Sequence, residues 1–191
     1  MLDVVAFDLM DTVVRDPFRE ALMEASGRPF EEAIARREPV AWHSFERGEL
    51  SEQEYFASYH LDLDVEAFQR VRRRGYCLLP GMRGLLDALG GHVTRATATN
   101  YPVWVEELAN GLLAGLFDRV IASHHLGVRK PERIFFERLC ASLDTEADRI
   151  LLVDDRIENV EGARDAGLRA HLFLGATDLR DRLLREGIPH L

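Results

Sequence analysis

Leu2-Asp3-Val4-Val5-Ala6-Phe7-Asp8-Leu9-Met10-Asp11-Thr12 opens with a short apolar run that stops on a carboxylate. Its β-branched and aromatic residues predict a strand over residues 2–7, with Asp8 at the carboxyl end. So little polar alternation is the pattern of a parallel strand covered on both faces. The pattern recurs down the chain. Residues 93–98 end at Thr99-Asn100, residues 150–153 end at Asp154-Asp155, and residues 119–122 and 170–174 are two further candidate strands.

Between these runs, residues 81–89, 102–113, 131–143 and 156–166 repeat apolar side chains at helical spacing. Pro102 and Pro131 suit the first turns of their helices, and Gly167 suits a left-handed stop after the last. The strand–helix alternation implies right-handed crossovers and an α/β fold built on a doubly wound parallel sheet. Residues 14–79 differ. They contain no convincing strand and read as helices, one of them opened by the capping box Ser51-Glu52-Gln53-Glu54. Pro80-Gly81 marks the return to the main pattern. The expected organisation is therefore a core of residues 1–13 and 80–191 with a helical insertion, residues 14–79, placed directly after the first strand.

Apolar residues make up 47% and charged residues 30% of the 191, which excludes fibrous and wholly disordered readings. The 33 acidic against 24 basic residues give a net charge of −9, which speaks against nucleic acid or membrane surfaces as partners. Cys77 and Cys140 are too few for a disulfide framework and read as reduced thiols. The N-terminal run lacks the basic flank and long apolar stretch of a signal peptide, so a cytoplasmic protein is expected.

In an open parallel sheet, ligands bind at the carboxyl ends of strands, near the point where strand order reverses. Asp8, Thr99, Asn100, Asp154 and Asp155 all fall at such ends, and Lys130 precedes a helix in Gly127-Val128-Arg129-Lys130-Pro131. The chain resembles the haloacid dehalogenase-like superfamily, in the branch with a small helical cap after the first strand. Phe7-Asp8-Leu9-Met10-Asp11-Thr12-Val13 is similar to its first motif, whose first Asp is the nucleophile. Thr99-Asn100 resembles the second motif, which holds phosphoryl oxygens, and Lys130-Pro131 the third. Val153-Asp154-Asp155-Arg156-Ile157-Glu158-Asn159 resembles the acidic fourth motif, which holds Mg²⁺.

The resemblance implies a Rossmann-like core and a Mg²⁺-dependent phosphatase that works through an aspartyl-phosphate on Asp8. Thr99, Asn100 and Lys130 would bind the phosphoryl group. Asp8, Asp155 and the Met10 carbonyl would supply hard oxygen ligands to the ion, with Asp154 in support. Lys130 would hold Asp8 ionised and neutralise charge on the transferring group. Asn159 and Thr12 read equally as local backbone partners.

One position departs from the family pattern. A second Asp normally follows the nucleophile by two residues as general acid and base, and here that residue is Met10. Asp11 lies one step later, which on an extended backbone faces it the other way, and it reads as a turn or cap residue. Slow turnover is expected, with aryl or acyl phosphates hydrolysed faster than alkyl ones. A 2-haloacid dehalogenase is one alternative, opposed by the acidic pair Asp154-Asp155, and a non-catalytic phosphate-binding member is the other. The expected partner is a small organic phosphate, and Arg36, Arg37, Trp42, His43, Phe45 and Tyr55 are the cap residues that could touch it, most of them reading equally as helix packing or solvated surface. His124-His125 reads as loop, and the chain as a monomer or homodimer.

Overall fold

In the computed structural model, which describes residues 2–189, the opening apolar run becomes β1 (Val4–Phe7), with all its residues buried. β1 lies in a four-stranded parallel sheet with β2 (Thr94–Thr97), β3 (Ile150–Asp154) and β4 (Arg169–Leu172), in the order β2-β1-β3-β4. Val4 registers with Thr94 on one side and Ile150 on the other. The chain passes from β1 to one neighbour and later returns to the opposite side of β1. Strand order thus reverses at β1, and a ligand crevice is expected at its carboxyl end.

Residues 119–122, expected as a fifth strand, ride along β2 without a regular ladder. Only the bridges Ala96–Arg119 and Thr99–Ala122 form. Between them the Thr97 hydroxyl takes the ladder's place, donating to the Ile121 carbonyl (2.9 Å) and accepting from the Ile121 N–H (2.8 Å).

Helices α1 (Phe18–Ser26), α2 (Phe30–Ile34), α3 (Ala41–Glu46), α4 (Glu52–Ala57), α5 (Val65–Gly75) and α6 (Met82–Leu89) lie between β1 and β2. Then follow α7 (Val105–Asn110), α8 (Ser123–Leu126), α9 (Arg133–Leu143), α10 (Ile157–Asp165) and α11 (Ala176–Arg185). Alternation along β1 divides the core in two. Val4 and Ala6 share one apolar cluster with Phe135 and Leu139 of α9 and Val160 of α10. Val5 and Phe7 share the other with Leu86 of α6 and Leu183 of α11. Both faces are covered, as a doubly wound sheet requires.

Local signals largely hold. Ser51 forms the capping box with Glu54, and Gly167 adopts φ 91° after α10. Pro102 and Pro131 lie outside their helices, which begin at Val105 and Arg133. His124 and His125 belong to the short α8 rather than a loop, and His125 bonds Glu106 (2.7 Å).

The helices α1 to α5 leave and rejoin the core at one place. The Leu79 N–H donates to the Val13 carbonyl (2.8 Å), the Arg15 N–H donates to the Cys77 carbonyl (2.9 Å), and Val14 bridges Leu78. Farther out the helices gather around a residue of the core. Trp104, just before α7, packs against Phe45 (5.0 Å between centroids), Phe68 (5.5 Å), Trp42 and Tyr55 (6.2 Å each) and Phe56 (6.3 Å). The buried Arg72 guanidinium stacks 4.7 Å over Trp104 and donates to Glu107 (2.8 Å). One apolar cluster therefore runs unbroken from sheet to helices.

Candidate active site

A cavity of about 320 Å³ opens at the carboxyl end of β1. Asp8, Met10, Asp11, Thr99, Asn100 and Asp155 line its floor, and Asp16, Phe18, Phe30, Ile34, Arg37, Trp42 and His43 line the wall opposite. Arg129, Arg156, Asn159, Glu46 and Tyr101 complete it.

The floor is built on Lys130, whose side chain is fully buried. Its Nζ donates to Asp8 Oδ1 (2.8 Å) and to Asp154 Oδ2 (2.5 Å). Burial alone lowers the pKa of the ammonium, but the two carboxylates outweigh it and raise it. Asp154 also accepts from Asn159 Nδ2 (3.0 Å) and from the Arg156 N–H (2.9 Å). Asn159 thus serves a carboxylate rather than helix backbone, and Asp154 is occupied with bracing Lys130. Asn100 braces the same residue from its main chain, donating to the Lys130 carbonyl (2.9 Å) and accepting from its N–H (2.8 Å). That side chain is engaged within the protein, which leaves the main chain at Asn100 as the part expected to meet a phosphoryl oxygen. Gly162 allows the approach: a Cβ there would lie 2.8 Å from the Pro131 carbonyl oxygen.

Two hydroxyls are buried with no protein partner, Thr99 Oγ1 and Thr12 Oγ1. The Thr12 hydroxyl therefore makes no turn bond. Thr99 lines the cavity, where an unpaired buried hydroxyl is suited to a ligand oxygen. Burial pushes the carboxyls of Asp8 and Asp155 above the ordinary range, and neighbouring carboxylates add to it. Lys130 opposes the shift at Asp8.

The donor set fits a hard divalent cation. Asp8 and Asp154 share one lysine, and Asp8 and Asp155 line the cavity as oxygen donors. Among the described residues no trio of His, Cys, Asp or Glu side chains is arranged to hold a metal alone. A Mg²⁺ that keeps several waters needs only one or two carboxylates.

Asp11 departs from the sequence reading. Its backbone is left-handed, φ 57°, so the alternation of an extended strand does not apply. The side chain lines the cavity and accepts from the Asp16 N–H (3.2 Å). Of the insertion residues expected to meet a ligand, Arg37, Trp42 and His43 line the cavity. Phe45 and Tyr55 are buried in the aromatic cluster, stacked at 4.5 Å, and Arg36 is exposed outside the cavity. Sequence reasoning missed Asp16, Phe18, Phe30, Ile34, Glu46 and Arg129. Glu46 and Arg129 pair at 2.9 Å across the boundary between insertion and core, a contact with no local signature.

A carboxylate at the strand where the order reverses, held by a buried lysine on two acids, defines a hydrolase of the haloacid dehalogenase-like class. The chain belongs to the haloacid dehalogenase-like hydrolases, whose family model matches residues 2–167. It is 32% identical over 199 aligned residues to flavin mononucleotide hydrolase 1 of Arabidopsis thaliana, a chloroplast protein by name, covering 100% of this chain and 81% of that one. It is 30% identical over 158 residues to phosphoserine phosphatase of Thermus thermophilus, covering 80% of this chain and 51% of the other. A HAD-like hydrolase of Porphyromonas gingivalis shares the fold with a TM-score of 0.77 at 21% identity, over 97% and 98% of the two chains. A Bacteroides thetaiotaomicron HAD enzyme, solved with magnesium and inorganic phosphate, gives 0.73 at 13% identity, over 90% and 94%. No helix among the described residues is long and apolar enough to cross a membrane.

Proposed function

We propose that this hydrolase is a Mg²⁺-dependent phosphatase of small organic phosphate esters, acting through an aspartyl-phosphate on Asp8, with residues 14–79 as its cap. The observation that carries the reading is the buried Lys130 bridge between Asp8 and Asp154, beside the unpartnered Thr99 hydroxyl. The names of its relatives, a flavin mononucleotide hydrolase and a phosphoserine phosphatase, support the substrate class. We propose cytoplasmic action, as a monomer or homodimer, on a freely diffusing substrate.

In this reading a carboxylate oxygen of Asp8 attacks phosphorus, and the bond from phosphorus to the ester oxygen breaks. Lys130 holds the Asp8 carboxylate in place and offsets charge on the phosphoryl oxygens. The Thr99 hydroxyl donates to one of those oxygens. Water then attacks the acyl phosphate, freeing Asp8 and inorganic phosphate. Bound at Asp8, Asp155 and the Met10 carbonyl, Mg²⁺ would screen the repulsion between nucleophile and phosphate. The cap's aromatic side chains Phe18, Phe30 and Trp42 offer a flat leaving group a surface to pack on.

Phosphate release from flavin mononucleotide, phosphoserine, glycerophosphate and p-nitrophenyl phosphate, with Mg²⁺ or with EDTA, tests this. Turnover that needs Mg²⁺ is the expected result. Halide release from 2-haloacids without any phosphatase activity would replace it with the dehalogenase reading, which the acidic pair Asp154-Asp155 disfavours.

A further inference from the structure

Breaking an ester of a sugar or alkyl alcohol requires a proton for the departing oxygen, and Met10 cannot give one. The cavity contains another acid suited to the task. Asp16 stands at the root of the insertion, immediately after the paired residues Val14 and Arg15, and lines the cavity that Asp8 lines from below. Its position is fixed from both ends. Its N–H donates to Asp11 Oδ1 (3.2 Å), and its Oδ1 accepts the Phe18 N–H (2.9 Å). Oδ2 makes no hydrogen bond among the described residues.

We infer that Asp16 is the general acid and base of this enzyme, in place of the residue that Met10 lacks. The inference rests on the phosphatase reading. In the first step the Asp16 carboxyl gives its proton to the ester oxygen as Asp8 attacks phosphorus, so the product leaves as a neutral alcohol. In the second, the Asp16 carboxylate takes a proton from the water that attacks the aspartyl-phosphate. The bond from phosphorus to Asp8 breaks, inorganic phosphate departs, and Asp16 ends protonated as it began.

The electrostatic setting agrees. Burial pushes the Asp16 carboxyl up to about 6, and Asp11 and Glu20 add to the rise. The Phe18 N–H and Arg15 oppose it, and the hydroxyls of Tyr76 and Tyr101 face Asp16 as well. An acid of that strength is well matched to proton transfer near neutral pH. The other titratable groups of the wall are less suited. His43 is held toward its neutral form by burial and by Arg129, Arg47 and Arg37, against Glu132, which makes it a poorer proton donor. Glu46 is tied to Arg129 at 2.9 Å.

Glycerophosphate and p-nitrophenyl phosphate separate the roles, because p-nitrophenolate departs without a proton. Asp16→Asn retains an acceptor for the Phe18 N–H. We expect it to lower kcat on glycerophosphate by about 100-fold or more. With p-nitrophenyl phosphate the variant should keep a fast burst of one p-nitrophenolate per enzyme, then stall as phosphate accumulates on Asp8. For the wild type, kcat/KM on glycerophosphate should fall as pH rises through about 6, a limb absent from the variant. A burst slowed as much as steady turnover, or alkyl-selective loss in Asp11→Asn instead, would overturn the assignment. A wild type that releases phosphate from neither ester would remove the phosphatase reading and this inference with it.

Discussion

The floor and the wall of the cavity are built on opposite terms. Beneath the floor, a network holds the charged groups in place: Lys130 by two carboxylates, Asp154 by Lys130, Asn159 and the Arg156 N–H, Asn100 by the Lys130 main chain. Apart from Asp16 at its root, the wall is the apolar side chains Phe18, Phe30, Ile34 and Trp42 with Arg37 and His43, and Arg37 Nε is buried and unpartnered. A site that develops charge at one point needs dipoles fixed in advance, since moving them during reaction costs energy. A surface that chooses a leaving group needs shape and a few donors, and it tolerates variety. The contrast assigns the nucleophile and its charge to the sheet and choice to the helices, with Asp16 at the root where the two meet.

The sharpest way to break this comparison is Asp8→Asn. Turnover should fall by more than about 1,000-fold, since no other group in the cavity supplies the covalent attack. Near-native circular dichroism would accompany it, because Asp154 still holds Lys130. Residual hydrolysis close to wild type would detach the floor from the reaction.

A substitution at the seam asks whether floor and wall are one body. Trp104→Ala removes a core residue embedded among the insertion's aromatics and should cost about 3–5 kcal/mol in urea unfolding. The transition should remain single. Two transitions, the insertion melting first, would show that wall and floor fold separately.

Within the floor, Asp155→Ala should raise the Mg²⁺ concentration for half-maximal activity by about 10- to 100-fold. Asp154→Ala should shift it less while lowering Tm, because it leaves a buried ammonium with one partner fewer. The reverse ranking would exchange their roles.

The smallest effect lies at the root of the wall. A carboxyl raised to about 6 binds its proton more tightly folded than unfolded. It therefore takes nothing from stability below about pH 4 and costs progressively more as pH rises to 6, up to about 3 kcal/mol before solvent screening. Asp16→Asn removes that cost, so its Tm advantage should grow from near zero at pH 4 to a few degrees at pH 7. A constant difference across that range would mean that Asp16 titrates as an ordinary surface acid.

The same divide governed what could be read from sequence. Asp8, Thr99, Asp154 and Asp155 were legible because each ends an apolar run, and a strand end has one position relative to its sheet. Lys130 was legible from the motif around it. Met10 was visible as a departure, but its remedy was not: Asp16 sits in a stretch of no periodicity, and only the pairing at the root aims it inward. Asp11 is a turn residue, as its type suggests, but the left-handed backbone that brings its side chain to the cavity cannot be seen in an Asp-Thr pair. Phe45 and Tyr55 looked like ligand contacts and are core, since aromatic content alone does not say which side of a short helix is buried.

The pairing of Val13 with Leu79 and of Arg15 with Cys77 also bears on how the chain finds its fold. Neighbouring strands β1 and β2 register Val4 with Thr94, a long search along the contour of the chain. Once the root has zipped, the shortest path between them is roughly two dozen residues, and the entropy of closing that loop falls by about 1 kcal/mol. Folding should then begin with the insertion and its root, because local helices form before distant strands meet. The sheet, whose first strand opens the chain, would be completed late, with β1 waiting beside an insertion already closed.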